Sequence, residues 1–236
     1  MTPLAAAICT ATAPVAADAP PDVPGVVWPT LPQTAASAEA FAPRGWRVEK
    51  AIVADLDGAG APDLVAVLRG DDPACRIARD TGHTLDTNPR LLLVARAASG
   101  GGYRLALANR QVIMRVDDPY MDDPLDPATG LAVANRVITL KLTYFRSAGG
   151  WTTWGTTLRF RWDGQRFATI GADRNEVRRN SGETEDVSAN YLTRRLRLDT
   201  GSIEDDVATR TRWLPLTKRA SSLEAIGDAL LFDPRK

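Results

Sequence analysis

Histidine and cysteine are nearly absent, with one His and two Cys in 236 residues. A single His excludes a His-rich metal centre and most His-dependent proton relays unless His83 itself serves. Neither charge sign is in excess, since 29 Lys+Arg balance 29 Asp+Glu. That balance argues against nucleic-acid binding, which needs a concentrated basic footprint. The apolar run Leu4–Ala16 is too short to cross a bilayer. No G-x-S-x-G, P-loop, H-E-x-x-H, C-x-x-C or dinucleotide fingerprint occurs in the sequence. The familiar serine-hydrolase, nucleotide-binding and zinc-protease signatures are therefore missing.

What is present begins with a processing signature. Leu4–Ala16 is uncharged and has the length of a secretory core, and Val15-Ala16-Ala17 offers small residues for cleavage before Asp18. Residues 1–17 are read as a signal peptide, which predicts a periplasmic or secreted protein. The start, Met1-Thr2-Pro3, carries no Lys or Arg. Cleavage removes Cys9 and leaves Cys75 alone, so the mature chain has no intramolecular disulfide. Cys75 reads as a partly buried small residue; a thiol–base pair with His83 is the sharper alternative. Residues 18–40 are rich in Ala and Pro and read as a linker or loosely docked arm. A single β domain is expected over 41–236.

Within that domain the hydrophobic period is two. Strands are expected at Val48–Leu56, Leu64–Leu68, Leu91–Ala95, Tyr103–Ala108, Val112–Val116, Asn135–Arg146 and Trp151–Trp162, and from Phe167 onward. Tyr191–Leu198 and Val207–Leu214 read as two more. Leu64–Leu68 is apolar throughout, as a strand buried on both faces is. Asp163-Gly164 signals a hairpin. Trp154, Leu158, Phe160 and Trp162 share one parity and read as core, while Trp151 has the other parity and reads as surface. Only Ser222–Leu231 has helical spacing, with Ser222 as its cap. The fold class expected is mainly β, with antiparallel sheets and one short C-terminal helix.

One stretch carries chemistry. Asp55-Leu56-Asp57-Gly58-Ala59-Gly60-Ala61-Pro62-Asp63 places carboxylates at positions one, three and nine, with glycines that permit a tight loop. Calcium takes six to eight oxygens in flexible geometry. Asp55, Asp57 and Asp63 can offer side-chain oxygens, and Ala61 its backbone carbonyl. This stretch, with the apolar strand that follows, resembles the cation loop of FG-GAP/VCBS repeats, the blade units of integrin-α-like propellers. The resemblance covers residues 48–69 and implies a propeller-blade-like N-terminal part with a calcium site. There is one copy, so the chain is not a whole propeller. Ala59 stands where the family pattern has an acid, so the implied calcium affinity is weak, on the order of 10⁻⁴–10⁻³ M. A metal-free Gly-rich turn is the alternative reading. The larger layout is similar to exported bacterial proteins that carry a single such loop, and that likeness implies no activity.

Other features are less specific. Asp117-Asp118-Pro119-Tyr120-Met121-Asp122-Asp123-Pro124-Leu125-Asp126 holds five carboxylates in ten residues. Asp117, Asp118, Asp122 and Asp123 suit a cation or a basic partner, though such segments are more often simply solvated. Trp151 is the best candidate for a surface aromatic. Residues 1–126 carry 11 basic and 16 acidic groups and residues 127–236 carry 18 and 13, so the halves differ in sign. The expected function is a non-catalytic binding or interaction module whose partner is an envelope protein or glycan. The rival is an envelope glycan hydrolase using a carboxylate pair.

Overall fold

A computed structural model describes residues 23–78, 84–204 and 208–236. Residues 1–17, read above as a signal peptide, together with Cys9, His83 and the Asp205-Asp206 pair, lie outside the described residues.

Strand takes 49% of the described residues and helical turns 3%, which bears out the mainly β expectation. In chain order the strands are β1 (Thr34–Ala35), β2 (Trp46–Ala54), β3 (Asp63–Gly70), β4 (Arg76–Ala78), β5 (Thr84–Asp86), β6 (Arg90–Ala97) and β7 (Tyr103–Asn109). There follow β8 (Leu131–Ala134), β9 (Val137–Tyr144), β10 (Thr152–Trp162), β11 (Phe167–Arg178), β12 (Glu183–Asn190), β13 (Arg195–Ser202) and β14 (Arg210–Pro215). They form a five-stranded sheet in the order β1-β7-β6-β3-β2, a seven-stranded sheet β14 to β8 in unbroken sequence order, and the β4–β5 hairpin. All pairings are antiparallel. The seven-stranded sheet curls into a half-barrel.

Strand alternation explains the packing. Val65 and Val67 of β3 and Leu92 and Val94 of β6 point into a core shared with Ile138, Leu140, Leu142, Leu158 and Phe160 of the half-barrel. The opposite face of β3 and β6 presents Leu64, Ala66, Leu68, Leu91, Leu93 and Ala95. The N-terminal arm covers that face with Trp28, Leu31, Ala38 and Phe41, and its β1 pairs with β7. The stretch read as a linker is therefore a docked strap from Trp28 onward, because the two-sided apolar strands need a second cover. Trp154 and Trp162 pack against the main core as their parity implies.

Three local expectations are corrected. Val112–Val116 is not a strand; it is an irregular segment whose Val112, Ile113 and Val116 are buried. Tyr191–Arg194 is the turn between β12 and β13, with Arg194 at φ 55°. Ser222–Leu231 is not a helix. Its turns seat Leu223, Ile226 and Leu230 in the core. The Asn109 amide donates to the Leu223 and Ile226 carbonyls at 2.7 and 2.8 Å, which takes those acceptors from any i→i+4 ladder. Leu223 N–H instead reaches the Phe167 carbonyl at 2.9 Å and ties the segment to β11.

Candidate functional site

The Asp loop joins β2 to β3, and both its glycines adopt the left-handed conformation the sequence requires, with φ 83° at Gly58 and 82° at Gly60. Carboxylate oxygens of Asp55, Asp57 and Asp63 come within 4.8 Å of one another. The three predicted carboxylates are thus brought together; Ala61 sits exposed in the same loop.

The donor set is hard oxygen and suits calcium in kind, but each carboxylate oxygen already has a partner. Asp55 accepts from Gly58 N–H at 2.7 Å and Gly60 N–H at 3.2 Å. Asp63 accepts from Leu56 N–H at 3.1 Å and Ala97 N–H at 2.8 Å. Asp57 accepts from Ala59 N–H at 2.8 Å and pairs through its other oxygen with Arg96. Arg96 Nε also stands 3.7 Å from Asp63, and the guanidinium lies over the Trp162 ring. The register puts it there: Leu64 faces Ala95 across β3–β6, so Arg96 lies beside Asp63. With an arginine among the carboxylates and Ala59 at position five, the loop fits calcium poorly.

A second charged group closes the other end of the same core. Along its inward face β3 reads Asp63, Val65, Val67, Arg69, and β6 reads Arg90, Leu92, Val94, Arg96. Arg69 and Arg90 are cross-strand partners, a like-charge pairing that is unfavourable by itself. A bulge between Val48 and Lys50 in β2 accommodates Glu49. Glu49 accepts from Arg90 at 2.6 and 2.8 Å and from Arg69 at 3.1 Å. Asp123 accepts from Arg90 at 2.8 and 2.6 Å, and Asp86 lies 3.2 Å from Arg69. Arg69 is 8% exposed and Arg90 4%. Burial alone would lower the Arg90 pKa, but its bonds to Glu49 and Asp123 outweigh that and raise it. Burial likewise pushes Asp86 up, and bonds from Asn88 with the charges of Arg69 and Arg76 bring it net below its ordinary value.

Over this cluster lies a cavity of about 760 Å³ bordered by Leu85, Asp86, Tyr120, Met121, Asp122 and Asp123. The predicted acidic segment therefore forms one wall. It is not merely solvated: Met121, Pro124 and Leu125 are buried anchors, and Asp118 pairs with Arg146 at 2.7 Å. Asp122 is exposed at the rim and Asp117 is exposed nearby. Trp151 is 71% exposed on the turn before β10. It is not among the residues that border this cavity.

The chain matches no family model, no curated protein and no solved structure.

Sequence reasoning passed over Glu49, Arg69, Arg90 and Arg96. The available signal was that arginines flank two otherwise apolar runs, at Arg69 after LVAVL and at Arg90 before LLLVA. A cross-strand carboxylate pair also escaped notice: Glu176 faces Glu185 across β11–β12. Both are already held, by Arg174 at 3.3 Å and Arg235 at 2.6 Å. Cys75 is a buried free thiol, in keeping with the structural reading of that residue.

Proposed function

We propose that this protein is an exported, non-catalytic binding module that recognises a cationic side chain of an envelope protein in the cavity walled by residues 117–126. The observation that carries the reading is the cavity itself, a recess with a pinned floor and an acidic wall. Arg69 and Arg90 are immobilised by Glu49 and Asp123, so the recess is preorganised and loses little ordering entropy on binding. Asp86 and Asp123 are answered by Arg69 and Arg90, so the exposed Asp122 at the rim is the carboxylate that favours a lysine or arginine guest. Tyr120, Met121 and Leu85 add apolar wall for the guest's methylenes.

The blade likeness supports the same class of function. Strands β2, β3, β6 and β7 run as a four-stranded meander with the Asp loop at its first turn, the layout of one propeller blade. In this reading the loop is a rigid turn neutralised by Arg96. The glycan-hydrolase alternative has its best carboxylates in Glu176 and Glu185, and their arginine partners weigh against it. The test is a photo-crosslinking residue placed at Asp122 and, as a control, at Lys141, in exporting cells at native expression. A reproducible protein adduct from position 122 and none from 141 supports the reading; no adduct at either contradicts it.

A further inference from the structure

We infer that the outward face of β12–β14 binds a carboxylate-bearing saccharide, a uronic-acid unit of an acidic envelope glycan. This face is separate from the cavity above. It carries a concavity of about 290 Å³ lined by Ser188, Asn190, Thr193, Arg195, Arg197 and Trp213. The register assembles it: Asn190 faces Arg195, Ser188 faces Arg197, and Arg197 faces Trp213.

The Arg195 guanidinium lies over the Trp213 ring, 4.4 Å from its centroid. Among the described residues it makes no hydrogen bond or ion pair. The stacking holds the planar fork in place without using its N–H donors, so they stay available to an anion. Arg197 spends only Nε on Asp199, at 2.9 Å. The Asn190 side-chain oxygen accepts from Leu192 and Thr193 N–H, both at 3.0 Å, which leaves its NH₂ as a donor. The centre of the site is therefore rich in donors and poor in acceptors, and two guanidinium forks match a planar carboxylate.

The surroundings select a sugar acid over other anions. Asp173 and Asp199 lie on the same face as Arg197 but are already paired, Asp173 with Arg159 and Ser188 and Asp199 with Arg197 and Thr211. Trp213 is 55% exposed and offers apolar surface to the C–H edge of a pyranose.

The test is a titration of the full mature chain with trigalacturonate, followed by tryptophan fluorescence and calorimetry, beside maltotriose and single-stranded DNA of similar length. The expected result is saturable binding of trigalacturonate alone. Arg195→Gln is expected to weaken it by at least about tenfold, which corresponds to ~1.4 kcal/mol. Trp213→Ala should weaken it and Trp213→Phe should retain it, with thermal melts showing that each variant folds. No saturable binding, equal binding of maltotriose, tighter binding of DNA, or an Arg195→Gln variant of unchanged affinity would each overturn the assignment.

Discussion

The Arg96 guanidinium pairs with the Asp57 carboxylate inside the very loop whose spacing suggests calcium. The cation that neutralises the loop comes from the neighbouring strand of the same sheet. Its seat is reinforced by Trp162, whose ring lies beneath the guanidinium.

The first prediction follows from that pairing. The melting temperature of a chain beginning at Asp18 is expected to be the same in EDTA and across a calcium series. Arg96→Gln leaves Asp55, Asp57 and Asp63 without their positive partner, so it lowers the melting temperature in EDTA, and calcium restores it. A calcium-dependent rise in the wild type, lost in an Asp55→Asn/Asp57→Asn double variant, would contradict the account.

Arg90 tests the buried charge cluster. Its guanidinium is bonded to both Glu49 and Asp123. Arg90→Met strands the Glu49 carboxylate, and breaking one side of a buried pair costs about 3–5 kcal/mol. Replacing Glu49 and Arg90 together with apolar residues should cost less than the single change. Denaturant melts of the Arg90 single, the Glu49 single and the double variant check this; additive losses would contradict the coupling.

Asp86 fixes the direction of an acid effect. Its folded pKa is held below the ordinary value by Asn88, Arg69 and Arg76 against an opposing burial effect. A carboxyl with a depressed folded pKa contributes stability that is present above the unfolded pKa of about 3.9 and lost as pH falls through the folded value. Asp86→Asn should therefore narrow the stability difference between pH 6 and pH 3, measured by urea midpoints at each pH. A variant with an unchanged pH slope would contradict the assignment.

The C-terminal segment is predicted to be indispensable. Leu223, Ile226 and Leu230 are buried in the main core, and burying each such side chain contributes about 1.5–3 kcal/mol. Three of them approach the ~5–15 kcal/mol that holds a typical domain together. A chain ending at Ser221 should lose its near-ultraviolet circular dichroism. Retention of a cooperative melt would show that the segment is dispensable.

These features were legible in the sequence to different degrees. Unbroken apolar runs located β3 and β6, which are buried on both faces, and period-two patterning located β7, β9 and β10, each of which buries one face. It passed over β12, whose Glu183–Asn190 sequence is polar throughout most of its length, since a strand supported by its neighbours' ladders needs little apolar patterning. Helical spacing at 222–231 misled because Leu223, Ile226 and Leu230 satisfy a curved sheet by turns as well as they would by a helix. The three carboxylates of the Asp loop were readable because they are local. Arg96 was not, since only the β3–β6 register brings it to Asp63. The same holds for Glu49 with Arg90 and for Asp123, which meet only once the sheets are assembled.

The most direct test of the central claim is an amide NMR titration of the isotopically labelled chain from Asp18 with a short lysine-rich peptide, beside a glutamate-rich peptide of equal length. The account predicts saturable shifts confined to residues 84–86 and 116–123, absent with the glutamate peptide and lost in Asp122→Asn. Shifts that are absent, or that map instead to the outward face of β12–β14, would contradict it.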